Sequence, residues 1–236
     1  MNDKIIGILG GMGPEATAEY YMKIIRATQA EKDQDHYRVI IDSNAKIPDR
    51  TAAISGRGEN PVPQMIDAAK NLEKVNVDVA CIPCMTAHYF IDDVQKAVSF
   101  PLMNAFEELK KYIEDHYPGV RKIGVLATSG TLQTGLFKKH LGHLDVIEPR
   151  PVTQTEKVME SIYGSNGIKS GNTDAEPLSL LKAAAEELLD QGAEVIISGC
   201  TEIGLVLKPY HLPVPLLDPM EVVAHAVVKE SVFQKS

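Results

Sequence analysis

A repeat with a period of about 116 residues constrains this chain more than any other feature of it. Ile6-Gly7-Ile8-Leu9 recurs as Ile123-Gly124-Val125-Leu126, 117 residues on. Val77-Asp78-Val79-Ala80 recurs as Ala193-Glu194-Val195-Ile196, and Ala68-Ala69, Leu72 and Cys84 meet Ala184-Ala185, Leu188 and Cys200 at the same offset of 116. Phe100-Pro101-Leu102-Met103-Asn104 then pairs with Val214-Pro215-Leu216-Leu217-Asp218, the offset shifted by only two. Helix, strand, turn and strand recur in order at near-constant spacing, which points to two homologous units rather than to chance likeness of single motifs.

Within each unit, short β-branched runs alternate with amphipathic stretches. A strand at Ile5 to Leu9 leads through a Gly-rich turn into a helix from about Pro14 to Gln29. Arg38 to Asp42 reads as a second strand, Pro48 to Pro63 as a Pro/Gly-rich connection, and Gln64 to Val75 as a helix with Met65, Ala68, Ala69 and Leu72 on one face. Val77 to Ile82 is apolar apart from Asp78, the pattern of a parallel strand covered on both faces. Such alternation gives an α/β fold whose ligands sit beyond the carboxyl ends of parallel strands. The expected architecture is two similar lobes, each a parallel β-sheet flanked by helices, related by a pseudo-twofold axis with the active site between them. The expected boundaries are 1–103 with 215–236 for one lobe and 104–214 for the other. A last helix runs from Pro219 to about Val232.

Composition removes several classes of function. Lys plus Arg is 24 against 32 Asp plus Glu, a formal net charge of −8. A chain so acidic lacks the basic stripe that nucleic-acid phosphates require. At 44% hydrophobic and 24% charged it can bury a sizeable core. No apolar run reaches the roughly 18 residues of a membrane span, and no secretory signal is visible at the N-terminus. Three cysteines are too few for a disulfide framework and fit a reducing compartment. The expectation is a cytoplasmic protein with no membrane and no nucleic-acid partner.

Two of those cysteines occupy matching repeat positions, Cys84 in Ile82-Pro83-Cys84-Met85-Thr86 and Cys200 in Ser198-Gly199-Cys200-Thr201-Glu202. Each follows a buried strand and precedes the expected start of a helix, where a thiol pKa is lowered. Two thiols on opposite sides of one cleft suit a reaction that takes a proton from one face of a carbon acid and returns one to the other. A single cysteine is more often a small core residue; the matched pair favours a site. Backbone N–H groups and hydroxyls of Thr86, Thr128, Ser129, Thr131 and Thr201 would bind a carboxylate and the charge that develops as Cα loses its proton. Glu202, two residues after Cys200, either orients or deprotonates a thiol or is a first-turn helix carboxylate.

Other readings compete. Gly11-Met12-Gly13-Pro14-Glu15-Ala16 after a strand, with Asp42 ending the next, fits a dinucleotide fingerprint but leaves the repeated cysteine unexplained. Cys81-Ile82-Pro83-Cys84 has redox spacing, though Cys81 lies inside the apolar run. A two-lobed small-molecule-binding protein would need neither cysteine. Cys84 and His88 are four apart with no second ligand pair, so no metal site is expected and His88 reads as a packing residue near the site.

The motifs Gly10-Gly11-Met12-Gly13-Pro14-Glu15-Ala16-Thr17, Ile47-Pro48-Asp49-Arg50-Thr51, Cys84-Met85-Thr86-Ala87-His88, Leu126-Ala127-Thr128-Ser129-Gly130-Thr131 and Gly199-Cys200-Thr201-Glu202-Ile203 span nearly the whole chain. In this order the chain resembles the aspartate/glutamate racemase family, most closely its cofactor-independent aspartate racemases. The resemblance implies a homodimeric amino-acid racemase that uses no cofactor and acts on a small acidic amino acid. Cys84 would serve the D-isomer and Cys200 the L-isomer. Arg50 would hold the side-chain carboxylate, helped by Lys169 of Gly167-Ile168-Lys169-Ser170-Gly171, with Met12 and Met85 also at the substrate. A related isomerase or hydantoin-type racemase is the nearest alternative. From its position after strand two, Arg50 is expected in a loop from which a guanidinium grips a carboxylate bidentately, and Lys169 lies on a Gly/Ser/Asn-rich stretch, 164–172, that reads as a mobile lid. Met85 stands where the family usually has Asn. Methionine offers the substrate no amide hydrogen bond, so an altered substrate range is expected.

Overall fold

Seven short strands form two wholly parallel sheets in the computed structural model, which describes residues 4–231. In the first sheet, β1 (Ile6–Gly10) lies between β2 (Val39–Ser43) and β3 (Val79–Cys81), and Leu102 makes a further parallel bridge to Ala80. In the second, β4 (Lys122–Leu126) lies between β5 (Asp145–Ile147) and β6 (Val195–Ser198), with β7 (Leu216–Leu217) beyond β6. The chain divides accordingly into two compact units. One comprises the chain up to Glu108 together with Met220 onward, the other Leu109–Pro219. Each is a parallel sheet flanked by helices, the α/β class expected from the sequence.

The repeat is visible in the packing of each unit taken separately. All five residues of β1 are buried, as are four of the five in β4, because helices cover both faces. Helix Val62–Lys74 buries Met65, Ala68, Ala69 and Leu72, while helix Ala175–Asp190 buries Leu181, Ala184, Ala185 and Leu188. The glycine in each central strand lets its helix approach. A Cβ on Gly7 would lie 2.7 Å from Val77 Cγ1 and 3.3 Å from Leu72 Cδ1; one on Gly124 would lie 2.7 Å from Ile196 Cδ1 and 3.0 Å from Leu188 Cβ. Gly124→Ala is therefore expected to overpack the second unit and cost about 1–3 kcal/mol, read as a lower urea midpoint.

The acidic residue that interrupts each apolar run has the same task in both units. Asp78 Oδ2 accepts from the Ile5 N–H at 2.6 Å. Its repeat partner Glu194 accepts from the N–H groups of Arg121 and Lys122 at 2.7 and 2.9 Å. These carboxylates satisfy main-chain donors at the entry of the central strand, donors that an apolar residue would leave without a protein partner. The hydrogen bonds hold the Glu194 carboxyl below its ordinary range.

The structure also adds elements. The Pro/Gly-rich connection after β2 contains a helix, Arg50–Ile54, started by Asp49, whose side chain accepts from the Ala52 N–H at 2.7 Å. The last helix, Pro219–Ser231, belongs from Met220 on to the first unit, where Glu221 pairs with Lys23 at 3.0 Å. Its expected end at Val232 lies outside the described residues. No helix among the described residues is long and apolar enough to cross a membrane.

Candidate functional site

Both candidate cysteines sit just past the carboxyl end of a buried strand, in the same kind of turn. The Cys84 carbonyl accepts from the Ala87 N–H and the Cys200 carbonyl from the Ile203 N–H, each at 3.1 Å, an identical three-residue step. Each cysteine is 6% exposed. Short helical turns follow, Thr86–Phe90 after Cys84 and Ile203–Val206 after Cys200.

The two thiols have unlike neighbours. Cys200 Sγ donates to Glu202 Oε2 at 2.9 Å, Thr201 Oγ1 donates to the same oxygen at 3.0 Å, and Lys169 Nζ holds Glu202 Oε1. Lys169 also lies over the Tyr163 ring, 5.5 Å from its centroid, a cation–π contact. Burial works against the Glu202 carboxylate, but the Lys169 charge and the Cys200 hydrogen bond outweigh it and keep it below the usual carboxylate range. Burial and the Glu202 charge push the Cys200 thiol well above its ordinary range, with Lys169 partly opposing them. This corrects the expectation of a thiol lowered by a helix start. At Cys200 desolvation and a neighbouring anion dominate.

Glu202 makes no capping hydrogen bond to the helix that follows it; its side chain holds the thiol and the lysine, and its own main-chain N–H also favours the carboxylate. Lys169 reaches Glu202 from a partly exposed stretch that carries its own hydrogen bonds. Residues 168–170 form a tight turn, the Asn172 side chain donates to the Asn166 carbonyl at 2.8 Å, and Ser170 Oγ donates to the Gly164 carbonyl at 3.3 Å. The lysine reaches the thiol through Glu202.

Around Cys84 the position of Glu202 is taken by Thr86, buried like the cysteine. His88 Nδ1 donates to the Cys84 carbonyl at 2.9 Å, which fixes the proton on that nitrogen because a carbonyl only accepts. His88 also packs edge-on against Phe106, with ring centroids 5.8 Å apart. Met85 and Met12 are both buried. Arg50 is not in a loop, as the sequence reading had it, but is the first residue of its helix. Its guanidinium donates to the main-chain carbonyls of Ile47 (3.2 Å), Pro48 (3.0 Å) and, at 3.5 Å, Met12. Cys81 is a core residue, its thiol pushed up to about 12 chiefly by burial. Fully buried, Cys81 does not present the accessible thiol that redox exchange with Cys84 would need.

Thr128, Ser129 and Thr131 follow β4. Thr128 caps the next helix, accepting from the Thr131 N–H at 3.2 Å, and the two hydroxyls are 2.9 Å apart. Two residues missed in the sequence touch Ser129. Met159 Sδ accepts from its N–H at 3.2 Å, and Gln154 Nε2 donates to its Oγ at 3.2 Å. No sequence motif marks either; both lie on a helix whose winding changes midway. No group of three or more potential metal ligands occurs among the described residues.

Comparison with known proteins identifies the family and the fold. The Asp/Glu/Hydantoin racemase family model matches residues 9–227. The chain is 31% identical over 231 residues to the broad specificity amino-acid racemase RacX of Bacillus subtilis (strain 168), covering 95% of this chain and 96% of that one. Among solved structures, an aspartate racemase homologue from Pyrococcus horikoshii OT3 superposes with a TM-score of 0.73 at 26% identity, over 98% of this chain and 99% of the other. The Picrophilus torridus aspartate racemase shares the fold with a TM-score of 0.79, over 97% and 94% of the two chains, at 24% identity. With the family match running from β1 into the last helix, the chain belongs to the Asp/Glu/Hydantoin racemase family and is an isomerase that acts on amino acids.

Proposed function

We propose that the chain racemises α-amino acids at Cα by a two-base mechanism in which Cys84 and Cys200 serve opposite faces. The observation that carries this reading is the pair of cysteines in matching turns at strand ends, one of them wired to a buried carboxylate and a lysine. One thiolate takes the Cα proton; the other thiol gives its proton to the opposite face, and the next turnover runs the roles in reverse. Glu202 holds the Cys200 proton in place and makes the thiolate that remains after its departure a stronger base. Lys169 limits that effect and keeps the carboxylate charged. Backbone and hydroxyl donors of Thr86, Thr128, Ser129, Thr131 and Thr201 bind the carboxylate and the enolate-like charge. The chemistry needs no cofactor.

The substrate range in this reading extends beyond aspartate and glutamate. Arg50 already donates to three main-chain carbonyls, and its helix packs against the Thr86–Phe90 turn that follows Cys84. From there its charge favours any carboxylate without gripping a second one on the side chain. Met85 offers an apolar, polarisable surface in place of an amide. The name of the Bacillus relative, a broad specificity amino-acid racemase, supports the same range.

The test is incubation of each enantiomer of aspartate, glutamate, alanine and lysine in deuterated water, following Cα exchange and inversion by NMR. Inversion is expected with at least one uncharged or basic side chain, with solvent deuterium in the product enantiomer. Met85→Asn is expected to raise kcat/KM for aspartate by about tenfold relative to alanine, the worth of one hydrogen bond to a charged group. Exchange confined to the acidic pair, with Met85→Asn neutral, would remove the broad range; exchange with none would remove the reading.

A further inference from the structure

Pro151 to Tyr163 is one run of helix with a π-helical stretch at Gln154–Met159 between two α-helical ends. An i→i+5 repeat brings residues five apart onto nearly the same face, whereas α-winding at 3.6 residues per turn would place them well apart. Gln154 and Met159 are five apart, and both reach Ser129. Gln154 Nε2 lies 3.2 Å from its Oγ, and Met159 Sδ takes its N–H. The change of winding therefore has a specific result: it puts two side chains of one helix on Ser129, in the shelf of hydroxyls that Thr128, Ser129 and Thr131 form after β4.

The orientation of the Gln154 amide is settled by its other contact. Nε2 also lies 2.9 Å from the Ala127 carbonyl, and a carbonyl only accepts, so the NH₂ end must face it. The same NH₂ then donates to Ser129 Oγ, and the serine is the acceptor in that bond. Its hydroxyl hydrogen is turned away from Gln154. Gln154 is over nine-tenths buried, and its Oε1 finds no donor among the described residues. Leaving a buried amide oxygen unsatisfied is costly. The arrangement retains that cost while using both NH₂ hydrogens to hold the shelf.

Building on the racemase reading above, we infer that Gln154 is a positioning residue that fixes Ser129 as a hydrogen-bond donor to the substrate carboxylate. An anion needs hydrogens aimed at it. A serine free to rotate presents one only part of the time, whereas a serine obliged to accept from Gln154 presents its own outward. Met159 keeps the Ser129 backbone in place from the other side.

The experiment is a double-mutant cycle on KM and kcat, with the amino acid turned over fastest in the exchange panel as substrate. Ser129→Ala is expected to raise KM about tenfold, with a smaller fall in kcat, as for loss of a donor to a charged group. Gln154→Met, which keeps the bulk and removes the amide, is expected to raise KM by most of that factor. The double variant should match Ser129→Ala alone. Gln154→Glu gives the serine an acceptor and turns its hydrogen inward, so its KM should equal that of Ser129→Ala; it takes the place of Gln154→Met in the cycle should that variant fail to fold. A merely structural glutamine predicts factors that multiply in the double variant, or a fall in kcat with KM intact. Either result overturns the assignment, as does a wild-type KM in Ser129→Ala. A wild-type protein that exchanges none of the amino acids overturns the racemase reading itself, and this assignment with it.

Discussion

Cys84→Ala and Cys200→Ala are each expected to lower racemisation by about 10³-fold, within the range a positioned acid or base contributes. The informative result lies in what each variant keeps. A protein without Cys84 still has the base assigned to the L-isomer, so it should wash the Cα hydrogen of L-substrate into deuterated solvent and return L-product. The protein without Cys200 should do the same with D-substrate only. Loss of inversion with enantiomer-specific exchange is the mark of two bases on two faces, read directly by NMR and chiral chromatography. Equal exchange of both enantiomers by either variant, or racemisation at the wild-type rate, would remove the mechanism. Both cysteines are nearly buried in apolar clusters, so thermal unfolding should accompany the kinetics to separate chemistry from packing.

The second large effect concerns the charges behind Cys200. The Glu202 anion is one of the causes that raise this thiol, while Lys169 lowers it. Glu202→Gln is therefore expected to move the pH at which Cys200 is alkylated by iodoacetamide downwards, and Lys169→Met to move it upwards. Mass spectrometry of the Cys200 peptide across a pH series reads both signs. Lys169→Met also strips the partner from a buried carboxylate and should cost about 3 kcal/mol of stability near neutrality. The folded-state Glu202 carboxyl lies below its ordinary value. Its contribution is thus complete above the unfolded carboxyl near pH 4.3 and is lost as pH falls through the lower folded value. The stability gap between wild type and Lys169→Met should close in acid; urea unfolding at neutral and strongly acidic pH measures it. Opposite shifts of alkylation, or a gap that widens in acid, would show that the pair does not act on the thiol as described.

The frame of the fold was legible because packing repeats what the sequence repeats. Gly7 and Gly124 admit Leu72 and Leu188, and Asp78 and Glu194 hold the entry of the central strands. All sit at near-constant offsets because they answer to the same local geometry. The matching turns that hold Cys84 and Cys200 were legible for the same reason. The connection between Lys169 and Glu202 was not, since 33 residues separate them and only the fold brings them together; spacing gave a lysine on a glycine-rich loop, with no sign of what it faced. Gln154 was invisible for a different reason. Its role depends on a change in helical winding, to which a hydrophobic pattern read at 3.6 residues per turn is blind. The helix that begins at Arg50 does carry a sequence signal. Asp49 is a helix-capping residue, and the prolines around it masked the five-residue helix it begins.

The carboxylate at Glu202 and the threonine at its counterpart, Thr86, make the surroundings of the two cysteines chemically unequal, yet the enantiomers that an amino-acid racemase interconverts are equal in free energy. Thermodynamics then forbids the inequality from showing in the final mixture, which must be racemic. The ratio of kcat to KM has to be the same in both directions. Under the two-cysteine mechanism proposed above, whatever advantage one cysteine gives its enantiomer in turnover must be matched by a proportionate loss in saturation, so the imbalance is recorded in how the enzyme fills, never in where the reaction stops.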